Sequence, residues 1–255
     1  MAVLLLLAVA CSSNSSTKSS GTTDSGGAAT SSDGGSASSS SAGSSGKAVT
    51  TADLAKLLPS ASSVGSGFTE ATSSSDSSTS SDSSGGGDPF QAAAEKQCPE
   101  LGKLLKGETP ESQKAKRTYK SSAGDSIEVS LHPKAKTYSS DELDKQIKAI
   151  NDCGEISVTL SGNDAKVSFS AKRDDSLGDQ GLVLRATIKV GVAQLNKAFT
   201  LKLVGYTYRV GTVTVTVTAS GELDPQTLTV VDPDEKTAKT VAEDLQPKVK
   251  KLVKG

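Results

Sequence analysis

The sequence has no tryptophan, one histidine, one methionine and only 3% aromatic residues over 255 positions. So few rings exclude the stacking platforms used to bind bases or sugar rings. The lone histidine, His132, has no second histidine to share a metal and no spaced serine or cysteine partner for a proton relay. Charge of one sign is missing too: 28 basic residues against 29 acidic ones give a net charge of −1, with no electrostatic footprint for nucleic acid. There is no phosphate loop, no dinucleotide fingerprint and no nucleophile elbow. The expectation is a non-catalytic protein without cofactor, metal or nucleic-acid partner.

Long hydrophobic runs are equally scarce. The main one is AVLLLLAVA at residues 2–10. It fits the roughly 7–15 residues of a signal-peptide core and falls short of the roughly 20 that span a bilayer. It ends in Ala8-Val9-Ala10-Cys11 and turns at once into SSNSSTKSSG. Small residues before a cysteine resemble a lipobox, in which the cysteine thiol takes a diacylglycerol and the chain is cut before it. Alanine stands at position 8 where such boxes usually have leucine, and no lysine or arginine precedes the apolar run. Residues 1–10 are read as the signal peptide and Cys11 as the lipidated residue, anchoring the chain to the outer face of the cytoplasmic membrane. A buried N-terminal strand carrying a core cysteine is the alternative.

Residues 11–47 then form a tether of serine, glycine, threonine, alanine and aspartate, and 72–88 repeat that composition inside the remaining chain. Such stretches have too little apolar surface to offset the entropy of ordering, about 1–2 kcal/mol per residue. The tether reaches about 5–6 Å × √n. One globular domain is expected over 48–255, with a low-complexity loop at 72–88. Three cysteines are an odd number, so lipidation of Cys11 leaves Cys98 and Cys153 as a pair. In an oxidising compartment a disulfide is the default for them, and two buried thiols are the alternative.

Periodicity marks the elements. Thr51 can cap a short helix carrying Leu54, Leu57 and Leu58. A second stripe runs Phe90, Ala94, Cys98, Leu101, Leu105, with Pro99 as a kink or restart and Gly107 as the stop. Arg117–Ser122 and Ser126–His132 alternate as a hairpin. Ser139 and Glu142 make a capping box for a helix over 140–153, which ends on Cys153 before Gly154. Alternation through Ile156–Leu160, Val167–Ala171, Leu182–Val190, Phe199–Leu203 and Val213–Val217 marks five further strands, with a break or bulge expected at Gly205. A last helix follows Asp232-Pro233, with Glu235 placed for a capping box and Pro247 for a kink. Short turns between consecutive strands imply an α+β domain: an antiparallel sheet of about five to seven strands with helices packed on one face.

Two N-terminal helices, the TYKSSAGDSIEVSLH hairpin, the SSDELDKQIKAINDC helix, the long strands and the C-terminal helix together have a familiar order. Over most of 50–255 the chain resembles the extracellular sensor domains of the mycobacterial PknH-type kinases and their lipoprotein relatives. The resemblance implies an actinobacterial lipoprotein with an antiparallel sheet flanked by helices and a cleft proposed to bind an unidentified ligand. It also implies disulfides, usually two, of which Cys98 and Cys153 match one as structural cysteines. No ligand-binding residue carries over.

Other polar groups have plain explanations beside sharper ones. Asp174, Asp175 and Asp179 could offer oxygen ligands to calcium, but without the spacing of an EF-hand loop they read as a solvated acidic turn. Lys248, Lys250, Lys251 and Lys254 favour the end of a helix dipole, and could also touch anionic lipid or wall polymer. Thr212, Thr214, Thr216 and Thr218 read as the solvated face of a strand. Three functions fit: a sensor-like module binding a small molecule, a carrier of lipid or glycolipid, and a scaffold holding an envelope protein. A polar cleft would favour the first, an apolar cavity the second and an exposed apolar patch the third.

Overall fold

The computed structural model describes residues 48–71, 89–105, 114–133, 139–160, 163–192, 197–224 and 227–255. The leader at 1–10, Cys11, the rest of the tether to 47, the loop at 72–88 and Gly107 lie outside the described residues. Helices α1 (Thr51–Ala55) and α2 (Ala61–Val64) and strand β1 (Phe68–Glu70) come first. Helices α3 (Pro89–Gln97) and α4 (Pro99–Leu105) precede the hairpin β2 (Ala115–Ser121) and β3 (Ser126–His132), then helix α5 (Ser140–Asp152). Strands β4 (Glu155–Leu160), β5 (Asn163–Arg173), β6 (Gln180–Val192), β7 (Lys197–Val210) and β8 (Val213–Ser220) form a meander. A small ribbon, β9 (Glu222–Leu223) with β10 (Val230–Val231), leads into the last helix, α6 (Glu235–Lys254). Among the described residues no helix is long and apolar enough to cross a membrane.

The fold is α+β with an antiparallel sheet, as the alternation implied. Its eight strands run β1-β2-β3-β8-β7-β6-β5-β4, so the hairpin β2–β3 joins the meander through β8. The eighth strand is β1, whose three residues are too few to show a period. The single helical layer divides into two, one on each face of the sheet. Strands β6 and β7 explain the division, because both of their faces carry apolar residues. On the front, Val183, Val204, Tyr206 and Tyr208 join Ile127, Val129, Leu131, Val215 and Val217 under α1, α2 and α6. On the back, Leu184, Ile188 and Leu201 join Ile156, Val167 and Ala171 under α3, α4 and α5.

Local expectations fared unevenly. Ser139 and Glu142 form the expected capping box, and Gly154 with φ +69° ends that segment just after its C-cap, Cys153. The cap of α1 is Thr50 rather than Thr51, because the Thr50 hydroxyl is the one that reaches the Asp53 N–H. Helix α6 is capped by Asp234, whose carboxylate accepts from the Thr237 N–H. Glu235 therefore takes no part in a capping box and instead pairs with Arg185. Pro247 sits at an exposed position inside α6, which runs through it from Glu235 to Lys254 as one element. Strand β7 runs through Gly205 without a bulge, pairing there with both Leu184 and Thr218. At Pro99 the helix restarts; α4 can lie close on α3 because Gly102 has no Cβ, which would meet the Glu95 Cα at 2.7 Å.

Candidate functional site

Helices cover part of each face, and on the back the β9–β10 ribbon adds to the cover, with Leu223 and Val230 packed against the α3–α5 core. On the back, the helices sit over β4, β5 and β6, while the register brings a polar field together across β2, β3, β8 and β7. One row reads Lys116, Ser130, Thr216, Thr207; the next reads Thr118, Glu128, Thr218, Gly205. A third reads Lys120, Ser126, Ser220, Leu203, and His132, Thr214 and Arg209 close one end. Beyond Thr207 and Gly205 the rows continue into Leu182 and Leu184, so a polar floor meets an apolar wall at the β7–β6 boundary.

The floor is made of small hydroxyls. Thr218 is 3% exposed, Ser126 6%, Thr216 8% and Ser130 9%. The solvated threonine face expected for β8 is thus corrected: Thr216 and Thr218 are buried, in a strand paired on both sides, with β3 and with β7. Their period of two was legible, but their neighbours were not, since β3 and β8 are far apart in sequence. The Thr207 and Thr216 hydroxyls lie 3.3 Å apart. Lys116 stands 3.6 Å from Glu128, which also accepts from Thr118 at 3.5 Å. At the far border, Arg173 donates to Asp144 at 2.7 Å and to the Ser140 carbonyl at 2.6 Å, tying α5 to β5. The result is a polar strip, the back trough, in which small hydroxyls are crossed by the Lys116–Glu128 pair and His132 and Arg209 stand at one end.

The remaining expected residues are placed as follows. Cys98 and Cys153 are disulfide-bonded with Cα atoms 5.4 Å apart, joining the α3–α4 junction to the end of α5. Asp174 accepts from the Ser176 N–H at 3.1 Å and from the Ser176 hydroxyl. That hydroxyl bond is the largest cause of a carboxyl pKa held below the usual value, with the Ser176 amide, Lys239 and Lys172 adding to it against partial burial. Asp179 accepts from the Gly211 N–H at 2.7 Å, which clamps the β7–β8 turn. Two of the three aspartates in that loop are therefore committed to backbone geometry. Among the described residues no group of three acidic, histidine or cysteine side chains is placed to hold a metal. Lys248, Lys250, Lys251 and Lys254 are exposed along the last turns of α6. His132 is half-buried at the end of the trough, opposite Thr214.

No family model matches the chain, and no curated protein does. Among solved structures, the crystal structure of the extracellular domain of PknH from Mycobacterium tuberculosis is similar, at 13% identity and a TM-score of 0.41. The match covers 80% of this chain and 98% of that one. The likeness lies in the arrangement of elements, the one the sequence resembled, and it assigns no role to any residue.

Proposed function

We propose that this chain is a membrane-anchored, extracytoplasmic lipoprotein whose domain binds a polar small molecule in the back trough without chemical conversion. The observation that carries the reading is the buried hydroxyl floor formed by Ser126, Ser130, Thr216 and Thr218 on the part of the back that α3, α4 and α5 leave aside. Small hydroxyls on adjacent strands offer alternating donors and acceptors fixed by the sheet, which favours recognition by hydrogen bonds. No nucleophile with a general base stands among these residues, so the trough supports binding rather than catalysis. A lipid carrier has less support, since the apolar parts of both faces are packed under helices. Lipidation of Cys11 and the tether to residue 47 belong to the same proposal, and they would hold the trough within reach of the envelope.

Native mass spectrometry of the chain, incubated with a water-soluble extract of bacterial envelope, tests the binding reading. A retained mass that stays in the aqueous phase after denaturation supports it. Adducts that extract only into organic solvent would support the carrier and overturn the trough. Intact mass after expression in a lipoprotein-processing host tests the anchor: a chain beginning at Cys11 with an added diacylglycerol is expected, and an unprocessed Met1 terminus would contradict it.

A further inference from the structure

The geometry points to the β4 side of the sheet as a docking edge for a second copy of this chain, closed in the monomer by two side-chain amides. β4 is the last strand, so alternate residues turn their N–H and C=O groups away from the sheet. At Ser157 both groups are taken by Gln97: the Ser157 N–H donates to Gln97 Oε1 at 2.9 Å, and Gln97 Nε2 donates to the Ser157 carbonyl at 2.7 Å. β5 outruns β4, pairing with it only as far as Ser168 but with β6 as far as Arg173. On that bare stretch Asn151 repeats the arrangement. The Ala171 N–H donates to Asn151 Oδ1 at 2.7 Å, and Asn151 Nδ2 donates to the Ala171 carbonyl at 2.9 Å.

A primary amide presents one acceptor and one donor in a plane, as a peptide group of a neighbouring strand does. Gln97 and Asn151 thus each supply one residue's worth of a missing strand. Both are held by the same covalent bond, Gln97 preceding Cys98 and Asn151 standing two residues before Cys153. The disulfide fixes the ends of α3 and α5 against the edge, and the amides are the groups that occupy it.

The edge suits its own copy. Antiparallel pairing of β4 with β4 about a two-fold axis at Ser157 sets Ser157 opposite Ser157, Glu155 opposite Thr159 and Ile156 opposite Val158. No like charges face each other, and the apolar back continues across the junction. The N–H and C=O groups exchanged at the centre are the ones Gln97 now satisfies.

Oligomeric state, read by size-exclusion chromatography with light scattering, tests this. The full chain is used with Cys11→Ser throughout, so that this thiol cannot crosslink. That parent should be monomeric. Gln97→Ala/Asn151→Ala and, separately, Cys98→Ala/Cys153→Ala should shift the mass from one chain towards two. Adding Ser157→Pro to Gln97→Ala/Asn151→Ala should return it to one, because that N–H points away from β5 and, with Gln97 gone, only the new pairing uses it. Monomers in both variants with native near-UV circular dichroism would overturn the proposal, as would a dimer that Ser157→Pro leaves intact. Gln97→Ala/Asn151→Ala keeps the disulfide, so its result decides the matter if Cys98→Ala/Cys153→Ala does not fold.

Discussion

On the front of the sheet one helix of twenty residues, α6, lays Ala238, Val241, Ala242, Leu245 and Val249 along the strands. Two buried tyrosines pin that side further: the Tyr119 hydroxyl donates to the Pro59 carbonyl, and the Tyr208 hydroxyl donates to the Ala242 carbonyl at 2.6 Å. On the back the same covering falls to α3, α4 and α5, of nine, seven and thirteen residues. Short helices are marginal by themselves, and here they are joined by the Cys98–Cys153 bond and clasped to strand edges by Gln97 and Asn151. Where the main cover is one long helix, with the short α1 and α2 beside it, packing and two tyrosine hydrogen bonds hold it. Where the cover is built from pieces, a covalent bond and side-chain amides stand in for continuity.

Breaking the covalent link should have the largest effect. The closed loop spans a sequence separation of 55, so Cys98→Ala/Cys153→Ala should cost about 4 kcal/mol in the chain-entropy description. Urea unfolding reads the loss, and hydrogen exchange, at a concentration low enough to keep the variant monomeric, should show β4 and β5 losing more protection than β3 and β8. Uniform loss would mean that the two halves are not held separately. On the front, Leu245→Ala removes a side chain 1% exposed and should cost about 2–5 kcal/mol, with β3 and β8 now the more affected strands.

Alkaline pH should also act on the front first. Burial raises the Tyr119 pKa to about 12, with Arg117 opposing it, and burial followed by Glu235 raises that of Tyr206 to about 12. Burial alone pushes Tyr208 upward. A raised folded value means that the unfolded chain releases these protons first. The stabilisation is therefore complete below pH 10 and is lost as pH climbs from about 10 to 12. Tyrosinate absorbance should rise together with loss of ellipticity; free titration near pH 10 in a folded protein would contradict this. The smallest effect is expected in the trough. Thr207→Val/Thr216→Val removes the hydroxyl pair without removing packing volume, and should change stability by less than about 1 kcal/mol in urea unfolding.

The sequence made the strands legible wherever alternation ran for five residues or more, and it placed both cysteines at element ends. It did not reveal the crossover that seats β8 beside β3, since nothing in Ser126–His132 or Val213–Ser220 names its neighbour. That pairing turns two ordinary polar strand faces into one hydroxyl floor, so the candidate site appears only with the topology. Gln97 and Asn151 were missed for a related reason. Polar residues at helix ends look solvated until the sheet edge they clasp is in place. The threonines of β8 had the right period and the wrong surroundings.

The most direct test of the central reading compares the chain with its Thr207→Val/Thr216→Val variant by native mass spectrometry, each incubated with the same water-soluble envelope extract. The account predicts a water-soluble adduct on the parent chain that is lost or sharply reduced on the variant. An adduct of equal occupancy on both would contradict it, and so would adducts on either that are extractable only into organic solvent.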